Sequence, residues 1–171
     1  LLTGRTEPQY VELLSWARRA RAVAMVSKKK DWKTFLIAKD MVSQPDGKRT
    51  LEDNLLIVGL LANRNEPSSM REALRLLQEI QAKQDLQPAE QVKLALLHES
   101  VGQVDKANDT MLTVVSKPNA HPEHYLAYAE FLMRANRASE VDSWLRSYEE
   151  KQPAAKGSGP VLALRAGILV K

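Results

Sequence analysis

Apolar residues recur three and four positions apart along most of this chain, as in Leu74, Leu77 and Ile80, or Val104, Ala107, Met111 and Val114. That is the period of a helix with one buried face, and the alternation a half-buried strand needs is missing. Proline punctuates the pattern. Its ring removes a backbone donor and crowds the preceding turn, so it belongs at helix starts and in loops. Pro8, Pro45, Pro67, Pro88, Pro118, Pro122, Pro153 and Pro160 cut the chain into helix-sized pieces. The pattern predicts helices over 8–27, 31–43, 50–63, 69–83, 88–101, 104–117, 122–135, 138–151 and 160–170, joined by short turns, with the first fraying near Ser27. The fold class is therefore all-α.

The stretch LALLHESVGQVDKANDTMLTVV, residues 94–115, shows how two of these helices are joined. Gly102 ends the first, because glycine takes the left-handed conformation at little cost. Asp105 favours the positive dipole end of the next. Asn136 stands where a second such turn is needed. The arrangement then repeats. Ala95, Ala129 and Ala163 are 34 residues apart, each behind an apolar residue, Leu94, Tyr128 and Leu162. Ala73, Ala107 and Val141 keep the same step, as do Leu77, Met111 and Leu145, and again Ile80, Val114 and Tyr148.

Two helices per 34 residues resembles the tetratricopeptide repeat, whose pattern runs Trp, Leu-Gly, Tyr, then Ala, Phe and Pro. One unit supplies Gln91 in the Trp slot, Leu94-Ala95, His98 in the Tyr slot, Ala107, Met111 and Pro118. The next supplies Tyr125, Tyr128-Ala129, Leu132, Val141, Leu145 and Pro153. Val58-Gly59, flanked by Leu55 and Ala62, fits an earlier unit with a longer turn, and Ala22, Thr34, Ala38 and Met41 suggest a first one. The resemblance implies one domain spanning 1–171, a right-handed α-solenoid of about four helix-turn-helix repeats over roughly 8–43, 50–84, 88–118 and 122–152. The terminal helix, 160–170, matches the first half of a further unit; it either caps the stack or exposes its Leu162 and Leu169 face.

Composition narrows the functions open to such a chain. At 171 residues and 44% hydrophobic it can bury a core of one domain. It has no cysteine, which excludes disulfides, thiolate metal sites and a cysteine nucleophile. LLIVGLLA at 55–62 stops at Asn63, well short of the ~18 apolar residues of a spanning helix. No membrane insertion is expected, and the chain reads as soluble, cytoplasmic by default. It begins LLTGRTE, without Met, and reads as a piece of something longer.

Chemistry-bearing constellations are sparse. His98 falls on the aromatic slot and reads as a packed structural residue. His121 and His124, in HPEHY, are three apart at a helix start, but no third and fourth ligand are spaced nearby, so no metal is expected. Glu149 and Glu150 occupy adjacent helical positions that point apart. A phosphate-cradling glycine loop and a nucleophile elbow are both missing. The expectation is a non-catalytic scaffold without cofactor, whose partner is another protein or a peptide segment.

Two surfaces are candidates for that contact. In tetratricopeptide proteins the first helix of each unit lines the concave groove, so the resemblance implies a partner-binding groove of Leu56, Leu60, Asn63, Val92, Leu96, Glu99, Leu126, Glu130 and Met133. The family's cationic clamp for acidic chaperone tails is not implied, because the matching positions hold Leu56, Leu60, Lys93, Glu123 and Leu126. The second surface is basic. The net charge of +4 hides eleven Lys or Arg against five Asp or Glu in residues 1–49, and fourteen against sixteen in the remainder. The excess concentrates in Arg18, Arg19, Arg21, Lys28, Lys29, Lys30 and Lys33. Such a run is either a solvated helix face or a site for an anionic partner, whether an acidic protein segment or nucleic acid. A nucleic-acid-associated helical module acting through these basic helices is the alternative function. Single-strand recognition, however, wants aromatics for stacking. Only Trp16, Trp32 and Phe35 lie near, and Trp32 is expected to pack the hairpin.

Overall fold

The computed structural model describes residues 8–28, 31–42 and 49–169, and every regular element among them is helical. In order these are α1 (Pro8–Lys28), α2 (Trp32–Val42), α3 (Leu51–Ala62), α4 (Pro67–Gln81), α5 (Pro88–Ser100), α6 (Val104–Val115), α7 (Pro122–Arg134), α8 (Ala138–Lys151) and α9 (Gly159–Leu169). A single 3-10 turn, Pro153–Ala155, joins the last two. The chain divides into two compact units, Leu1–Gln84 and Asp85–Lys171.

Boundaries follow local chemistry. The pattern starts the fourth helix at residue 69, but α4 begins at Pro67. Proline costs nothing at the first helical position, where its missing N–H would have no partner, so it opens the helix rather than preceding it. α1 runs unbroken through Ser27 to Lys28. α3 begins with a reciprocal cap. The Asp53 amide donates to Thr50 Oγ1 at 3.2 Å, and the Thr50 amide donates to Asp53 Oδ2 at 2.9 Å. α5 ends on Gly102 at φ +81°, with the Gln103 amide donating to the His98 carbonyl and the Gly102 amide to that of Glu99. This pair of bonds is the Schellman closure. Asn136, at φ +65°, closes α7 the same way, through Arg137 to Leu132 and Asn136 to Met133.

The first unit consists of two hairpins, α1 with α2 and α3 with α4, and α3 packs on both α1 and α2. Ala22, Phe35, Ala38, Ile57, Val58, Leu61, Ala73 and Leu77 form its buried centre. Ion pairs tie one hairpin to the other: Arg19 of α1 reaches Asp53 of α3 at 3.1 Å, and Lys39 of α2 reaches Glu72 of α4 at 2.5 Å.

The second unit stacks the hairpins α5–α6 and α7–α8 through α6 and α7, and α9 packs on α7 and α8. Its core runs from Ala95, Ala107 and Met111 through Tyr128, Phe131 and Leu132 to Val141, Leu145 and Val161. Ala95, Ala107 and Ala129 are wholly buried. They sit where the helices of a hairpin approach closely, so a larger side chain there would force the helices apart. The hydroxyl of the buried Tyr128 finds its partner on another element. The Tyr128 hydroxyl donates to Asn108 Oδ1 at 2.9 Å, and Arg137 donates to the same oxygen while pairing with Glu140. Arg165 fastens α9 by bonding Asp142 at 3.1 Å and Glu149 at 2.9 Å.

The positions spaced by 34 residues are buried in register. Leu77, Met111 and Leu145 are each 0% exposed, as are Ala73, Ala107 and Val141. α9 departs from this. It turns Val161 into the core and leaves Leu162 and Ala163 exposed, although their counterparts Leu94-Ala95 and Tyr128-Ala129 are buried. In α7 those positions are covered by α8. Among the described residues no helix lies across the matching side of α9, so Leu162 and Leu169 face solvent.

Candidate functional site

The first unit holds a concave site between α1 and α3, with a volume of about 550 Å³. Val23 and Val26 of α1 and Leu56 and Leu60 of α3 supply apolar walls, and Ser27, Asn63 and Arg64 stand at one end. Gly59 lies between Leu56 and Leu60. A Cβ built on it meets nothing within 4 Å, so the glycine leaves open space inside the groove. The site exists because α1 and α3 are both the leading helices of their hairpins and pack side by side, while α2 and α4 close the opposite side of each.

Arg64 is not a free cation at this end. Its guanidinium lies 4.7 Å from the Trp32 ring centre and 5.4 Å from that of Phe35, and those rings are themselves stacked at 5.1 Å. It also donates to Glu66 at 2.5 Å and to Ser69 at 3.2 Å. The bond from Arg64 holds the Glu66 carboxyl below its ordinary range. The site is therefore an apolar trough ended by a neutralised, immobilised Arg, a wall rather than an anion hook. It offers apolar contact surface from two helices.

The groove residues implied by the family pattern fall out differently in the two units. Leu56, Leu60 and Asn63 come together in this trough, with Leu60 forming its buried floor. In the second unit Val92, Leu126 and Met133 pack against the core, and Leu96 and Glu130 are exposed. Met133 reaches α9 so closely that a Cβ on Gly167 would lie 2.8 Å from its methyl group. Glu99 is engaged by Arg134 through two bonds of 2.8 and 2.9 Å, and that bonding raises the Arg134 pKa.

The basic cluster is also divided. Arg19 is spent on Asp53, which is 1% exposed. Arg18 is half-buried, and its Nε donates to the Leu14 carbonyl at 3.3 Å. Arg21, Lys28 and Lys33 are exposed; Lys29 and Lys30 lie outside the described residues.

The histidines separate into two kinds. His98 is buried with Nδ1 2.7 Å from the Gln103 side-chain oxygen, which makes it part of the turn after α5. His121 and His124 stand edge to face at 5.9 Å. Desolvation, then the neighbouring His121, lowers the His124 pKa, and its Nδ1 is buried without a hydrogen-bond partner. Among the described residues no group of three or more His, Asp or Glu could hold a metal ion.

No family model, characterised protein or solved structure matches the chain. No helix among the described residues is long and apolar enough to cross a membrane.

Sequence reasoning missed Arg19–Asp53, and a signal for it was present. The two residues are 34 apart, Lys39 and Glu72 are 33 apart, and Glu99 and Arg134 are 35 apart. Opposite charges 33 to 35 residues apart mark these contacts between one hairpin and the next. In the sequence pattern Gly59 fits a Leu-Gly slot; that it also leaves the trough open depends on where α1 lies.

Proposed function

We propose that this protein is a non-catalytic scaffold of tetratricopeptide type, a helical solenoid that holds a segment of a partner protein in a groove formed by the first helices of its hairpins. The observation that carries the reading is the apolar trough between α1 and α3, where Leu56, Leu60 and Asn63 line a concavity that Gly59 leaves open. Small concave sites of this size, apolar with a few polar groups at the edge, suit a short helical or extended segment. Hairpin pairing, the packing of α1 on α3 and of α7 on α9, and burial of matching residues every 34 positions support the repeat assignment.

The test is selection of binders from a displayed peptide library on the full chain, followed by affinity measurement against Gly59→Leu and Asn63→Lys. Gly59→Leu fills the trough from a position where a side chain has room, so a folded variant is expected. Selected peptides that lose at least about tenfold in affinity to both variants, a change of roughly 1.4 kcal/mol, support the groove. Peptides indifferent to both place the binding surface elsewhere and overturn the reading.

A further inference from the structure

α1 has an exposed side that no described helix of its unit covers. Ser15 and Ala22 are its buried residues, facing the hairpin. On the far side lie Leu13, Trp16 and Val23, which are 45%, 62% and 42% exposed, together with the exposed small residues Ala17, Ala20 and Ala24. At 100° per residue these six occupy one arc of about 120° that contains no charge. Leu13, Trp16, Ala20 and Val23 follow a three-four spacing, the seam by which one helix lays itself along another, and the alanines permit close approach. Apolar residues gathered on one exposed face, rather than scattered singly, are what an interaction face requires.

The edges of the arc say what fits. Along one edge it runs into the trough, because Val23 lines both. Along the other stand Arg21 and Lys28, one helix face apart from the trough, exposed and without an ion pair to any described acidic residue. An occupant must therefore be apolar along its middle and negative along one flank. We infer that the partner segment is an amphipathic α-helix of another protein, lying along α1 with its apolar stripe on Leu13, Trp16, Ala20 and Val23 and an acidic flank on Arg21 and Lys28. This rests on the groove reading above and gives its occupant a shape and a charge. A nucleic acid is the poorer fit, since the centre of the surface is aliphatic and a phosphate backbone gains from many cations rather than two.

Two labelled helical peptides of about 20 residues, enough to span the ~30 Å of α1, test this by anisotropy on the full chain. They share leucines at the three-four spacing and differ only in carrying Glu or Lys on the flanks. The Glu peptide is expected to bind saturably and at least about tenfold more tightly than the Lys peptide, with the preference shrinking as salt screens it. Arg21→Glu/Lys28→Glu, both at exposed positions, is expected to reverse the order, and Ala20→Glu to abolish binding of either. Equal affinity of the two peptides, no binding, or no reversal in the charge variant overturns the inference, as does displacement of the Glu peptide by a single-stranded oligonucleotide. If library peptides respond to Gly59→Leu while flank charge has no effect, the groove stands and the acidic helix falls. If neither responds, both fall.

Discussion

Arg19 of α1 and Asp53 of α3 meet at 3.1 Å, and the carboxylate that receives the guanidinium also caps the helix that carries it. Asp53 thus does two things at once: it closes the N-terminus of α3 and anchors α1 against it. Because Asp53 is 1% exposed while the Arg19 side chain is 24% exposed, the two removals are not equivalent. Arg19→Met leaves a buried carboxylate with only its backbone bond, at a cost of about 2 kcal/mol, the scale for a buried acceptor short of a partner and less than for a fully buried pair. Asp53→Ala loses the cap as well as the pair but lets Arg19 turn to water. A double-mutant cycle by urea unfolding is expected to show that Arg19→Met costs less when Asp53 is already alanine. Additive values would mean that the pair is not coupled.

Two identical substitutions are expected to act in opposite directions. Gly59 and Gly102 both have room for a Cβ, so packing does not distinguish them. Gly102 sits at φ +81°, where alanine is strained, and Gly59 lies inside α3, where glycine is the poorer helix former. Gly102→Ala should destabilise by about 1 kcal/mol and Gly59→Ala should stabilise by about 0.5–1 kcal/mol. Thermal unfolding of the two variants side by side reads the sign directly.

How much of this was legible in the sequence follows from which forces are local. Helix positions were, because Pro88, Pro122, Gly102 and Asn136 act on their own backbone and need no distant partner. The burial of Leu77, Met111 and Leu145 was too, because each lies on the apolar face of its own helix. The places of Val92, Leu126 and Met133 were not: each is an apolar residue on a first helix, like Leu56, and only the packing of neighbouring elements decides which line a trough and which complete a core. Arg19 failed for the same reason. A run of cations looks uniform until one of them finds a carboxylate on another helix.

The attachment of α9 is expected to weaken in acid. Bonds from Arg165 lower the pKa of Glu149 and, with Arg146, that of Asp142. A carboxylate whose folded pKa is depressed binds fewer protons folded than unfolded, so its contribution is complete above the unfolded value near 4 and declines as pH falls through the lower folded value. Amide exchange within α9 should accelerate relative to α7 as pH drops below about 4, after correction for intrinsic rates. Arg165→Met should show faster exchange at neutral pH and little further pH response. An unchanged pH profile in that variant would show that other groups hold the helix.

Core truncation gives the scale against which these are small. Met111 is 0% exposed and lies between the hairpins of the second unit. Met111→Ala is expected to cost about 2–5 kcal/mol. Leu112→Ala, one position on and 40% exposed, should lie within about 0.5 kcal/mol of the parent in the same denaturant titration.

α9 bears on how the molecule behaves in a crowd of its own kind. Leu162 and Leu169, 55% and 88% exposed, present an oily strip to solvent, and a net charge of +4 supplies only modest repulsion between copies. Added salt removes that repulsion while leaving the attraction of the strip intact. Contact of copies through this strip would therefore answer to salt in the opposite sense to contact through charge, strengthening rather than weakening as ionic strength rises.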